Sequence, residues 1–408
     1  MSPPDSPDNA PKYIAPGVYI EEIAPGLHTI APVSTSTAAM AGLAVNGPSG
    51  TASKLITAYL EFKELYGDTP FISLGGLQIR NYLALAVRAF FDNGGARLYV
   101  SRVTASDGTN SSAPAAEDYA RALSAFESLR DISIVAAPGG TVAGTQGIAA
   151  VAPVHAALIA HTNRPAAYRF AVLDPPPGCS LSDVQALRSG VDSKNAALYY
   201  PWVTIADPAS TAKPAAQLNV PPSGFLCGIY ARTDMQQGVY KAPANQPIIG
   251  AIGFELAIND RQNELLNPLG INSLRSFPGR GNRVWGARTV SSDPEWKYIN
   301  LQRYFLYLEH SIDLGTQWAV FEPNNEHLWA SVKQTVESFL FNEWKSGALL
   351  GAKPDEAYFV KCDGTTMTQN DLDNGRLICI VGVAAIKPAE FVIFRIGQWT
   401  SSSSHPPI

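Results

Sequence analysis

The chain has 408 residues, 46% hydrophobic and 16% charged, with a formal net charge of −5. That length suggests two or three domains, and so little charge suits a subunit that buries much of itself against copies better than a free-standing soluble enzyme. No block of Lys or Arg occurs, so the clustered phosphate neutralisation that nucleic-acid binding needs is missing and no nucleic-acid partner is expected.

Cys179, Cys227, Cys362 and Cys379 are scattered without CxxC or metal-ligand spacing. We expect no metal, no cofactor and synthesis in a reducing compartment. "MSPPDSPDNAPK" carries Pro and Asp where a secretion signal needs basic and then apolar residues. No apolar run nears the ~20 residues that cross a bilayer, so no membrane insertion is expected.

The first structured run is "GVYIEEI", a strand from Val18 to Ile23 with apolar groups on both faces. It lacks a neighbour in sequence, and a lone strand is unstable in water. Glu21 and Glu22 are adjacent in that strand and point to opposite sides, so they cannot act as a catalytic pair. "TSTAAMAGLAVNGPSG" reads as a second strand with an Asn-Gly-Pro turn. "TAYLEFKELYG" reads as a short helix closed by Gly67. "LQIRNYLALAVRAFFDNGG" reads as a helix with Leu83, Val87 and Phe90 on one stripe.

Strand and helix then alternate. Apolar runs at 96–103, 132–138, 168–174 and 196–207 are separated by helical segments near 116–129, 147–161 and 181–190. Continuous apolar strands between helices predict a parallel sheet covered on both faces, so 96–250 reads as an α/β domain. The last third differs. "SDPEWKYINLQRYFLYLEHSI" predicts a helix capped by Asp293, with Leu301, Phe305, Leu308 and Ile312 as its stripe. "PNNEHLWASVKQTVESFLFNEWKSG" predicts a second, and "RLICIVGVAAI" and "EFVIFRIGQW" predict two terminal strands.

An α/β domain invites an enzyme reading, either a hydrolase or a nucleotide-dependent enzyme. "GRGNRVWG" has the wrong spacing for a dinucleotide loop, and no phosphate loop or GxSxG elbow occurs. His155 and His161 are six apart and do not share a helix face as metal ligands would, so surface or partly satisfied histidines are expected. "DLDNG" lacks calcium-loop spacing and reads as a turn. No catalytic constellation emerges. The Gly-, Pro- and Asn-rich stretch 220–290 carries Arg232, Arg275, Arg280, Arg283 and Arg288 as fork donors for carbonyls or carboxylates, which is architectural chemistry.

That stretch also resembles the tail sheath proteins of contractile phage tails and related injection systems. The resemblance runs through "PGVYIEE", "PPSGFLCGIYARTD", "GVYKAPAN", "LNPLGIN", "RSFPGRGNRVWGART", "WKYINLQRYFLYLEHSI", "FEPNNEHLW" and "KPAEFVIFRIGQ", in that order over nearly the whole chain. It implies a non-catalytic, subtilisin-like α/β insert facing outward, over 96–250. It implies a tube-facing α+β body over 251–390, with 26–95 contributing to that body and linking it to the insert.

It implies exchanged arms at residues 1–25 and 391–408, carrying Val18, Tyr19, Ile20, Glu21, Glu22 and Ile23, and Phe391, Val392, Ile393, Phe394, Ile396 and Trp399. Such arms add strands to neighbouring subunits, with "APGLHT" and "KPAE" as hinges. Implied partners are further copies in stacked hexameric rings, an inner tube protein, baseplate and terminator proteins, and paralogous sheath subunits. Assembly would occur in the bacterial cytoplasm, for a virion tail or a released tail-like particle. Lys333, Glu337 and Lys345 on the helix 326–345 are the expected tube contact, against an ordinary solvated helix face.

Overall fold

The computed structural model describes residues 28–105, 108–110, 112–142 and 145–393. The first elements are β1 (Ala38–Leu43), β2 (Lys54–Ile56), α1 (Tyr59–Tyr66), β3 (Phe71–Leu74), β4 (Leu77–Arg80), α2 (Tyr82–Asp92) and β5 (Leu98–Val103). Next come α3 (Ala116–Ser124), β6 (Ile134–Ala136), α4 (Ile148–Thr162), β7 (Phe170–Leu173), α5 (Leu181–Ser189), β8 (Ala196–Tyr200), β9 (Val203–Ala206), β10 (Gln217–Val220) and α6 (Ser223–Gln237). The last third holds β11 (Gly253–Phe254), α7 (Asp260–Leu266), β12 (Ile271–Phe277), β13 (Gly281–Trp285), α8 (Ile299–Gly315) and α9 (Glu326–Lys345). It ends with α10 (Pro354–Ala357), β14 (Tyr358–Lys361), α11 (Gln369–Asp373) and β15 (Ile380–Val383).

One eight-stranded sheet, ordered β13-β12-β8-β7-β6-β1-β5-β2, organises the fold. The six inner strands are parallel, and β2 and β13 close the edges antiparallel. Successive side chains go to opposite faces, which is why the strands read as unbroken apolar runs. Met40, Ile134, Phe170 and Tyr199 pack toward α1, α2 and α6. Ala41, Val135, Leu173 and Leu198 pack toward α3, α4 and α5. Between α2 and α6 the helices nearly touch: a Cβ on Gly224 would lie 2.5 Å from Ala86 Cα, and one on Gly228 2.4 Å from the Phe90 carbonyl.

The expected insert supplies only β5, β6, β7 and β8 of this sheet. β1 and β2 come from before residue 96, and β12 and β13 from after 250. β1 has apolar groups on both faces and five of its six residues are buried, so it takes a central place instead of an edge.

Four local expectations change. Leu77–Arg80 is not helical: Gly75 and Gly76, with φ of 56° and 88°, turn β3 back onto β4, and Asn81 caps α2 by accepting from the Ala84 amide at 3.1 Å. The run 196–207 divides at Pro201, with β8 in the large sheet and β9 between β10 and β11. Asp293 caps a separate 3₁₀ turn, Pro294–Trp296, before α8 begins. Of the two terminal strands, β15 is only four residues long, and 390–393 is not a strand.

α8 joins two cores. Ile299 and Leu306 enter the sheet core, while Tyr304 and Leu308 enter a third core with α9 and β14. Arg303 on α8 is buried with Asp234 on α6 at 2.6 and 2.9 Å, and also donates to the Thr35 carbonyl at 3.0 Å.

Candidate assembly site

α9 begins where the Asn325 side chain accepts from the Leu328 amide at 3.0 Å, and it stops just before Gly347, whose φ is 83°. Leu328, Trp329, Val332, Val336, Phe339 and Leu340 fill the third core. The outer stripe is His327, Ala330, Gln334, Ser338, Phe341 and Lys345. Lys333 and Glu337 stand beside this stripe and pair with each other at 3.8 Å. Twelve residues separate Lys333 from Lys345, which places them about 120° apart around the helix. The structure therefore joins two of the three predicted tube-contact residues and leaves Lys345 on another face.

β14 and β15 form a two-stranded sheet. Phe359, Ile380 and Val381 on it are exposed. Beside it lies a groove of about 640 Å³ lined by Val320, Phe321, Leu328, Leu377, Cys379 and Val381. Phe321 is wholly exposed and has φ of 71°, a strained conformation for a bulky residue. Sequence reading passed over Phe321; the Gly-less "VFEPNN" turn carried no signal for its backbone.

The predicted C-terminal hinge is anchored. The Glu390 carboxylate accepts from Arg288 Nε and Nη2 at 2.7 and 2.6 Å, from Asn267 Nδ2 at 2.9 Å and from the Tyr298 hydroxyl at 3.2 Å. Burial alone would raise this carboxyl, but the bonds from Arg288 and Asn267 and the charges of Arg288 and Lys297 hold it below its ordinary range. Directly beyond it, Phe391, Val392 and Ile393 are 72, 70 and 79% exposed. Phe394, Ile396 and Trp399, and the whole of Val18 to Ile23, lie outside the described residues.

The other fork arginines act within the body. Arg232 donates to the Asn93 and Pro247 carbonyls, Arg275 to the Ile258 carbonyl and Asp260, Arg280 to Asn245 and Arg283 to the Asn245 carbonyl. "GRGNRVWG" is the turn and return strand of the β12–β13 hairpin.

The sheet reverses its winding at β1, where β5 and β6 flank it, and an α/β enzyme would bind its ligand at the carboxyl ends of these strands. Beside it, the carboxyl ends of β6 and β7 are packed. His155, Asp174 and Trp202 line a cavity of about 10 Å³, room for one water. The Asp174 carboxylate accepts from the Ser223 amide at 2.8 Å and hydroxyl at 2.6 Å, while the His155 ring meets the Asp174 backbone carbonyl at 2.9 Å. Sequence reading missed this Ser–Asp–His trio, but it does not form a relay, because the imidazole faces a carbonyl.

Burial raises Asp174 to about 7 and lowers His155 to about 4. His161 is lowered to about 3 by burial and by Arg169 and Arg164, with Arg169 at 2.6 Å. Both histidines are buried, not on the surface. Among the described residues, no three His, Cys, Asp or Glu side chains are placed to hold a metal.

Residues 112–290 match the phage tail sheath protein central domain, and 291–398 the phage tail sheath C-terminal domain. The chain belongs to the phage tail sheath family. It is 30% identical to the anti-feeding prophage helical sheath in its contracted state, with a TM-score of 0.76 over 94% of this chain and 99% of that one. It is 28% identical to the contracted PVC sheath of an extracellular contractile injection system, with a TM-score of 0.74 over 94% and 97%. A prophage major tail sheath protein of Pseudomonas aeruginosa is 26% identical over 239 residues, 56% of this sheath chain and 58% of that relative.

Proposed function

We propose that this protein is the subunit of a contractile sheath that polymerises around an inner tube in an extended, metastable helical lattice. On a baseplate signal it contracts and drives the tube through a target envelope. The observation that carries the reading is the C-terminal exit: a clamped Glu390 followed at once by three exposed apolar residues. An exposed apolar segment of this kind favours burial against a partner. The short β14–β15 sheet and its groove offer unpaired backbone edges and apolar surface for such an arm.

In this reading, Phe391 to Trp399 and Val18 to Ile23 add strands to neighbouring subunits, which build hexameric rings stacked helically. Each arm would contribute roughly five main-chain hydrogen bonds at about 0.5–1.5 kcal/mol net apiece, and the lattice multiplies them. The α8–α9 body faces the tube and the α3–α5 side of the large sheet faces outward. Assembly occurs in the bacterial cytoplasm with baseplate and terminator proteins. The packed carboxyl ends of β6 and β7 support a structural role for the α/β part over an enzymatic one.

The test is a pair of deletions, residues 1–24 and residues 391–408. Each should leave the melting temperature of the unassembled chain nearly unchanged and abolish ordered tubes in electron micrographs. A collapsed monomer melt would assign the deleted strand to its own body and end the arm-exchange reading.

A further inference from the structure

Cys362 follows β14 and Cys379 precedes β15. The register pairs Lys361 with Ile380, so the next rung sets Cys362 opposite Cys379. The Ala384 amide donates to the Ala357 carbonyl, which makes theirs a hydrogen-bonded rung. Such rungs alternate along an antiparallel pair, so the 361–380 rung is hydrogen-bonded and the 362–379 rung is not. Residues on a non-bonded rung stand about 4.5 Å apart at Cα with their side chains at closest approach. That lies within the ~4.4–6.8 Å span of natural disulfides. Both thiols are free, and they are near enough to perturb each other's titration. Cys362 is buried, whereas Cys379 lines the open groove beside Phe321 and is partly exposed.

We propose that Cys362 and Cys379 are a redox pair that closes to a reversible cross-strand disulfide in an oxidising medium, with a small soluble disulfide such as oxidised glutathione as electron acceptor. Cys379 attacks one sulfur of oxidised glutathione from the groove, which forms a mixed disulfide and releases one glutathione thiolate. Cys362 then attacks the Cys379 sulfur and releases the second. Two protons pass from the cysteines to the two departing thiolates, so one glutathione disulfide is reduced to two thiols for each protein disulfide made. The surroundings make this slow. Burial and the neighbouring Cys362 raise the Cys379 thiol to about 12; burial also raises Cys362. Lys333 opposes both shifts, while Glu337 adds to that at Cys379 and Asp363 to that at Cys362. The pair thus stays reduced in the compartment of synthesis and closes only on long residence outside it. The closed bond would tie the ends of the 363–378 segment, which the Thr366 hydroxyl already joins to the Ile378 carbonyl at 2.7 Å.

The experiment incubates the full unassembled chain with oxidised glutathione and follows its intact mass, its disulfide-linked peptides and its hydrogen exchange. The expected result is loss of two hydrogens, a peptide joining Cys362 to Cys379, slower exchange across 363–378 and reversal by a reducing agent. Cys362→Ser should stop the chain at a glutathione adduct on Cys379. A wild-type chain that stays folded by circular dichroism yet keeps both thiols, or ends as a glutathione adduct, would overturn the proposal; so would a bond involving Cys179 or Cys227. Because the wild-type chain alone decides these outcomes, a variant that fails to fold does not obscure them, and none depends on sheath assembly.

Discussion

Three buried groups on and around α4 give the sheath subunit opposing responses to acid. His155 and His161 have pKa values below their ordinary 6.5, near 4 and 3. Each binds fewer protons in the folded chain than in the unfolded one, so each contributes stability that is full above pH 6.5 and is lost as pH falls through its folded value. Asp174 is raised from 3.8 to about 7, so its contribution is full below pH 3.8 and lost as pH rises through 7. Over the shared window His155 and Asp174 largely cancel, which leaves His161 to set the slope. His161→Gln keeps an acceptor for Arg169 without a titrating ring. Its melting temperature should fall less than that of the wild type between pH 6.5 and 4, a difference approaching about 1.4 kcal/mol per pH unit. Thermal melts across that range decide it; identical curves would reject the assignment. None of these roles was readable from spacing, because His155 and His161 sit six residues apart and owe their state to carbonyls and guanidiniums contributed by other elements.

Elements were legible where one local signal governed them. The apolar runs became β5, β6 and β7, the Gly67 stop became the end of α1, and of the two asparagines that could open α9, Asn324 and Asn325, the second became its cap. Legibility failed where a partner decides the outcome. Leu77–Arg80 has an apolar stripe that suits helix or strand, and β3 opposite it selects strand. The 362–379 rung was invisible because sixteen residues of intervening chain separate two cysteines that the ladder brings together. On α9, the helix and its polar Lys333, Glu337 and Lys345 were expected, but not how those three divide around it, since the packing of α9 against β14 decides which side Lys333 occupies. A charge reversal therefore separates the faces. If the outer stripe meets the tube, Lys345→Glu should reduce tube-templated assembly several-fold, with an effect that fades at high salt. Lys333→Glu acts first on the Glu337 pair and should mainly lower the monomer melt, by no more than about 0.5 kcal/mol. Sedimentation of both variants with tube at two salt concentrations checks this; equal behaviour would place neither face on the tube.

At the scale of the molecule, the order of motifs along the chain disclosed the family, while the gathering of strands into one sheet was hidden. A contiguous α/β segment was expected, yet the central strand β1 arrives from before residue 45 and β12 and β13 from after 270. Long-range pairing of that kind leaves no periodic trace. The same gathering ties the C-terminal exit to the sheet: Glu390 binds Arg288, and the Arg288 amide donates to Asn272 Oδ1, on β12, at 2.7 Å. Glu390→Gln removes the ionic part of this link and leaves Arg288 short of a partner. It should lower monomer stability by about 1–3 kcal/mol while tubes still assemble, and micrographs of triggered particles should show incomplete contraction. Full contraction with an unchanged melt would show that the exit does not need its anchor.

The Glu390 clamp also sets how tension would travel. A strand pulled lengthwise must break all its bonds at once, whereas one peeled from its end loses them singly. In the proposed arrangement, tension on the arm would arrive at Glu390 before it could unzip residues 384–389, and would cross two short charge-assisted bonds into Arg288 and then Asn272. Asn272 is itself held by the Leu198 carbonyl on β8 at 3.1 Å. The load would thus spread across β12 and β8, which lie side by side in the large sheet, so a neighbour that tugs on the proposed arm would pull on the sheet itself.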